Sequence, residues 1–208
     1  MECLLGMPYC RERGLGLINR NEAVINAAMP VAMVEAWMRY DAASPYAELI
    51  RNAKYRDRPW QARELGRIFG RDLLGRPFGG VSPTPADIDV LLPMPMHWSK
   101  EMRRGYNQSR EIAFGLAEML GAEVGDNLVA VRPHGTQTRL SHAERARNIK
   151  GCFALEHASE LEGLHVAVVD DVITTGASVC EAVLALSWGM PRAASVSVLA
   201  IGATSRNG

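Results

Sequence analysis

Residues 164–178, LHVAVVDDVITTGAS, constrain the chain most. Five of the six positions from Leu164 to Val169 are apolar or small, and three are valines, so the run reads as a buried strand. Asp170 and Asp171 follow at once. A hydroxyl- and glycine-bearing turn, Thr174-Thr175-Gly176-Ala177-Ser178, comes next. Val179, Val183, Leu184 and Leu186 then mark a helix. A strand, a tight turn and a helix start make an anion site. The first-turn N–H groups lack helical acceptors, and the helix dipole favours negative charge there. Gly176 lets backbone approach a ligand, while Thr174, Thr175 and Ser178 add hydroxyl donors. The acidic pair suits sugar hydroxyls instead. A ligand with a diol at one end and a phosphate at the other, a ribose 5-phosphate, meets both demands. The same pattern also occurs as a plain strand end with a capped helix.

VVDDVITTGAS resembles the PRPP (5-phosphoribosyl 1-pyrophosphate) motif of type I phosphoribosyltransferases: apolar strand, two acids, two variable residues, T-T-G-x-[ST]. The resemblance implies that Asp170 and Asp171 hold the ribose hydroxyls as the catalytic acids. It also implies that Val172 and the turn Thr174, Thr175, Gly176, Ala177 and Ser178 complete the ribose-5-phosphate site.

A chain of 208 residues, 48% hydrophobic and 22% charged, has room for one α/β domain and a small appendage. Zero formal net charge gives no global field toward nucleic acid or anionic membrane. No apolar run reaches the roughly 18 residues of a membrane span, and no basic and apolar leader opens the chain. The expectation is a soluble cytoplasmic protein without membrane insertion. Cys3, Cys10, Cys152 and Cys180 form no C-x-x-C, which argues for neither a disulfide framework nor a complete zinc site. Cys152 and Cys180 read as inert core thiols.

Residues 31–40 read as a strand or a short helix. Ser44 and Pro45 open a helix ending near Lys54-Tyr55, with Tyr46, Leu49, Ile50 and Ala53 at helical spacing. Pro59 opens the next, with Leu65, Ile68, Phe69 and Leu73 on its apolar face. Arg63, Arg67 and Arg71 form a stripe for which two readings stand: a solvated face, or a phosphate or nucleic-acid contact. Residues 75–85 read as a loop, 88–92 as a strand ended by Pro93 and Pro95, and 95–105 as a basic, glycine-containing loop. A helix from Asn107 carries Ile112, Ala113, Leu116, Met119 and Leu120 and stops at Gly121. Residues 128–131 and 152–155 read as strands around a basic segment, 132–150, in which Ser141 starts a capping box. Residues 194–201 read as a last strand with one face less buried. Alternating strands and helices from about residue 88 predict a mainly parallel sheet, and ligands of such sheets sit at strand carboxyl ends.

Two further segments sharpen the resemblance. His97-x2-Lys100-x3-Arg104-Gly105-Tyr106-Asn107-Gln108 resembles the P-x-H-x2-[RK]-x3-R-G-[FY]-N-Q segment of the ComF family, phosphoribosyltransferase-like proteins many of which are linked to competence for DNA uptake. Gln137-x2-Leu140-Ser141-x3-Arg145-x2-Asn148-x4-Phe153 also has the family spacing. The match runs from about Met33 to Ile201. It implies a type I phosphoribosyltransferase fold: a mainly parallel central sheet flanked by helices, a small N-terminal hood and a flexible lid. Met96, His97, Lys100, Arg104 and Gly105 become the pyrophosphate site; Gln137, Arg145 and Asn148 belong to the lid. Residues 1–30 form a separate segment, the remnant of or replacement for the zinc finger of many relatives, or a finger truncated at Met1, and no zinc is expected. Residues 31–208 form the phosphoribosyltransferase-like domain. Mg2+ would arrive with PRPP, and no protein metal site is expected. Transfer of a phosphoribosyl group to an unread acceptor, with release of pyrophosphate, is one expectation. The other is a non-catalytic accessory role in DNA uptake, binding nucleotide, single-stranded DNA or competence proteins. Homo-oligomerisation stays open.

Overall fold

The computed structural model describes residues 29–41, 43, 45–55, 58–78, 83–133, 148–190 and 192–204. In chain order the described elements are β1 (Val31–Arg39), α1 (Pro45–Tyr55), α2 (Pro59–Leu74), β2 (Val90–Pro93), α3 (Trp98–Arg104), α4 (Gln108–Leu120), β3 (Glu123–Val124), β4 (Leu128–Ala130), β5 (Phe153–Leu155), β6 (His165–Ile173), α5 (Ala177–Trp188) and β7 (Ser195–Ala203). The main sheet has the order β1-β7-β6-β2-β3, and every pairing in it is parallel. This is the mainly parallel, helix-flanked sheet expected from the alternation of elements. β4 and β5 stand apart as an antiparallel ribbon.

Strands buried on both faces read as continuous apolar runs, and the residue alternation assigns each side. Leu92, Val166, Val168, Val196 and Val198 face a core with Val179, Ala182, Val183 and Leu186 of α5 and Leu128 and Phe153 of the ribbon. Leu91, Ala167, Val169, Leu199 and Ile201 face the other core, with Ile50 of α1, Phe69 and Leu73 of α2, and Ile112 and Leu116 of α4. Residues 31–40, open between strand and helix in the sequence, form a strand because β7 offers a parallel partner along the whole run, from Val31↔Val196 to Arg39↔Ala203.

α2 and α4 approach so closely that glycine is required at the crossing. A Cβ on Gly115 would lie 1.9 Å from the Arg63 carbonyl oxygen, and one on Gly66 would lie 2.2 Å from that of Ile112. Arg63 and Arg67 of the arginine stripe reach across this seam with partly exposed side chains, and Arg71 is exposed, which fits the solvated-face reading. Arg63 Nε donates to Glu111 Oε2 at 3.0 Å, and Arg67 Nη2 donates to Glu118 Oε1 at 3.1 Å. The Arg67 hydrogen bond holds the Glu118 carboxyl below the usual carboxylate range.

Two expectations are corrected. The last strand has no exposed face, since one core covers each side of β7; Ser197 is fully buried and its hydroxyl pairs with His165 Nε2 at 2.8 Å. Residues 95–105 are not a loop throughout: His97 caps the helix α3 and Gly105, at φ 87°, ends it. The 75–85 loop leads into a 3-10 turn, Pro85–Asp87, boxed by Thr84 N–H and Oγ1 bonds to Asp87 Oδ2 at 2.7 and 2.9 Å. The expected hood before Pro85 is described only in part, and residues 1–28 lie outside the described residues.

Gly115→Ala forces two backbones apart, so it is expected to cost at least about 3 kcal/mol, the upper range for overpacking, read as a lowered urea midpoint. Burial pushes the His165 imidazole below its ordinary value of 6.5, against the opposing charges of Asp89 and Asp87. The unfolded chain therefore binds the proton more readily. The His165 contribution is complete above about pH 6.5 and is lost as pH falls through the lowered folded value. Urea midpoints of wild type and His165→Gln, compared from about pH 8 to 5, are expected to show a steeper acid loss in wild type.

Candidate functional site

The site opens where β2 leaves β6. The two strands pair from Val90↔Val166 to Pro93↔Val169. The last link is the Met94 N–H to the Val169 carbonyl, at 2.7 Å. Pro95 has no N–H with which to continue. β6 runs on to Ile173, held on its other edge by β7 through Asp170↔Ala200, Val172↔Gly202 and Ile173↔Ala203. Asp170 and Asp171 are thus inside the strand rather than after it, on a stretch whose β2 side is open.

α4 occupies that side with its N-terminus. Asn107 caps it, its Oδ1 accepting the Ser109 N–H at 3.0 Å, while Asn107 Nδ2 donates to the Met94 carbonyl at 3.1 Å. The next two residues reach the acids. Gln108 Nε2 donates to Asp171 Oδ2 at 3.3 Å, and the Ser109 hydroxyl donates to Asp170 Oδ1 at 3.4 Å. The Asp171 N–H also donates to Asp170 Oδ1, at 2.8 Å. These neutral donors fix how the two carboxylates stand. Asn107 and Gln108 carry the family resemblance without an assigned role, and Ser109 lies outside the candidate residues. The signal for all three is the polar Asn-Gln-Ser run at the start of an amphipathic helix.

Past Ile173 the chain turns through Thr174 and Thr175 to Gly176, which caps α5 at φ 73°, a left-handed conformation that costs glycine little. Asp170, Val172, Thr174, Thr175, Gly176, Ala177 and Ser178 line one cradle of about 30 Å3. The Cys180 N–H bonds back to the Gly176 carbonyl at 2.8 Å, and the Ala177 N–H reaches Thr175 Oγ1 at 3.4 Å. Ser178 and Val179, whose N–H groups precede the first full helical bond, also line the cradle. Asp171 does not line it: strand alternation sends it toward Gln108.

The pyrophosphate candidates lie on the same sheet end, because β2 and β6 are parallel neighbours. They do not share the cradle. Met96 lines a separate cleft beside α3. His97 Nδ1 accepts the Ser99 N–H at 3.4 Å as the α3 cap. Lys100 and Arg104 lie on α3, half-buried, before Gly105. Of the lid candidates, Gln137 and Arg145 lie outside the described residues, as does Ser141. Asn148 is exposed, and its carbonyl accepts from Cys152 Sγ at 3.2 Å. The stem of that segment is tied down by residues to which the sequence assigns no role. Arg132 Nε donates to the Gly151 carbonyl at 3.2 Å, and the Gly151 N–H donates to the buried Glu181 carboxylate of α5. Cys152 and Cys180 are buried; burial raises both thiols, Cys180 to about 11, as expected of inert core cysteines. Among the described residues no three His, Cys, Asp or Glu side chains gather as a metal site, and no helix is long and apolar enough to cross a membrane.

Asn107→Ala removes a cap and a buried tether together. It is expected to cost about 1–3 kcal/mol in urea denaturation, and Asn107→Ser, which restores the cap, is expected to recover part of that loss.

No family model matches the chain. Curated proteins do. DNA utilization protein YhgH of Salmonella typhi is 34% identical over 150 residues, 70% of this chain and 64% of that protein. Its Escherichia coli K12 counterpart is 35% identical over 143 residues, 68% of this chain and 60% of that protein. The chain thus spans a little under two thirds of the length of these relatives. Among solved structures, the glutamine PRPP amidotransferase of B. subtilis, complexed with ADP and GMP, aligns with 73% of this chain and 30% of its own at 21% identity and a TM-score of 0.43. The protein TT1426 of Thermus thermophilus aligns with 74% and 86% at 18% identity and a TM-score of 0.38. Competence protein F of Haemophilus influenzae is 30% identical over 160 residues, 72% of this chain and 69% of that protein. With that identity sustained over more than two thirds of both chains, this protein belongs to the competence protein F (ComF) family.

Proposed function

We propose that the chain binds PRPP and transfers its phosphoribosyl group to a nucleophilic acceptor. The observation that carries this reading is the meeting of Asp170 with the hydroxyls and first-turn N–H groups of residues 174–179 in one cradle. The turn would take the 5-phosphate through neutral donors, and the two anchored carboxylates would take the ribose hydroxyls. In the transfer, an acceptor lone pair forms a bond to the anomeric carbon as its bond to the pyrophosphate oxygen breaks. The electron pair leaves with pyrophosphate, and the acceptor's proton goes to solvent. Positioning and leaving-group stabilisation would supply the rate, with Lys100 and Arg104 of α3 as the cationic candidates. Mg2+ fits as a passenger. The carboxylates of Asp170 and Asp171 are suited to hold its water shell, and the ion would neutralise charge on the leaving pyrophosphate.

The relatives' names favour a second reading, an accessory role in DNA utilisation or competence. Arg63 and Arg67 lend it little, since both are paired across the α2–α4 seam. A gel shift with single-stranded DNA over a salt series separates the two readings, because phosphate contacts weaken steeply with salt.

Calorimetric titration of magnesium–PRPP into the whole chain is expected to give a Kd of roughly 1–100 µM. Asp170→Asn and Asp171→Asn are each expected to weaken it about tenfold or more. Silence from folded wild type would sink the reading; binding would license an acceptor screen by pyrophosphate release.

A further inference from the structure

A larger concave space lies beside the start of α3. It is a cleft of about 330 Å3 between α3 and the β4–β5 ribbon, and it shares no lining residue with the cradle of 170–179. Its size is that of a small-molecule site, for which about 300 Å3 is the lower bound. Pro95 and Leu128 supply apolar wall. The Trp98 ring stands at it, 66% exposed, tilted 40° against the His97 ring at 5.4 Å. The charge is one-sided. Glu101, Asp126 and Glu156 bring three carboxylates against the one guanidinium of Arg110. None of these carboxylates hydrogen-bonds or ion-pairs with another described residue.

A wall of this kind repels phosphate. An exposed indole face attracts cations through its quadrupole, and carboxylates with no partner among the described residues add Coulombic attraction. A flat ligand with delocalised positive charge satisfies both: its ring stacks on Trp98 and its charge meets the carboxylates. We propose that this cleft is a second ligand site, separate from the phosphate cradle, which takes a planar organic cation of the amidinium or guanidinium type. It stands whether or not the cradle binds PRPP.

The test uses the whole 15N-labelled chain. Its four tryptophans give four indole N–H signals, and Trp98→Phe identifies that of Trp98. The probes are 4-aminobenzamidine and its neutral isostere 4-aminobenzamide. The amidine is expected to shift the Trp98 signal saturably and to bind about tenfold more tightly than the amide. The double variant Glu101→Gln, Asp126→Asn is expected to abolish that preference. Asp126 is exposed and Glu101 half-exposed, so this variant keeps the fold, which its amide spectrum verifies. Equal binding of amidine and amide, a preference that survives the double variant, or no Trp98 shift at about 10 mM amidine would each overturn the proposal.

Discussion

The separation of β2 from β6 after Val169 is the constraint on which the rest of the site depends. Up to that residue both edges of β6 are paired, and its side chains belong to the two cores. Beyond it the β2 edge is vacated, because Pro95 offers no donor and the chain turns into α3. A strand continued on one side only can carry acids: Asp170 and Asp171 are half-buried yet reach donors. Asn107 makes the arrangement stable. One amide holds the Met94 carbonyl at the point of separation and caps α4. The same link fixes Gln108 and Ser109 against the acids. α4 is in turn held at a fixed height by its glycine-mediated crossing with α2, so a fold contact far from the ligand side sets where the carboxylate donors stand.

The sequence discloses elements better than their limits. The apolar run before Asp170 marks β6 correctly, but apolarity stops at Val169 and the strand does not. It continues because β7 is long enough to pair with Asp170 through Ile173, which no pattern within one segment reveals. Ser195 and Ser197 mislead for the same reason. Alternating serines signal a wet face in a two-layer sheet, yet here a core covers each face of β7, and the Ser197 hydroxyl is satisfied by a histidine 32 positions away. α3 is legible in principle from the His97-x-Ser99 cap and the terminal Gly105, but the flanking prolines outweigh them. β3, at two residues, carries no period at all.

The candidate site is legible where chemistry is local. A strand, two acids and a hydroxyl-bearing turn are contiguous, so spacing alone brings Asp170 and Thr174 through Ser178 to one place. The pyrophosphate candidates are harder because their positions depend on how a short helix leaves its strand. Placement of His97 as a cap, and of Met96 in the cleft, follows from α3 rather than from the motif. Gln108 and Ser109 act on the acids from more than 60 positions away, and contacts of that range are invisible to any reading of spacing.

The distribution of charge ties these features together. A phosphate site is commonly sought through clustered lysine and arginine, yet this chain is neutral overall and engages Arg63, Arg67 and Arg76 internally. Arg76 Nη1 meets the buried Glu35 at 2.9 Å, anchoring the chain after α2 to β1. A buried pair of this kind contributes little net stability but is costly to break, since one charge would be left without its partner. The residues that line the cradle offer hydroxyls and backbone N–H groups rather than cationic side chains, and the positions of these groups are set by the turn. Such donors select by geometry rather than by attraction at a distance. That suits a small anion of defined shape better than a polyanion, whose binding would need a continuous cationic surface. By this argument the neutral overall charge and the turn at 174–178 favour the sugar phosphate reading together, though either feature alone fits many proteins.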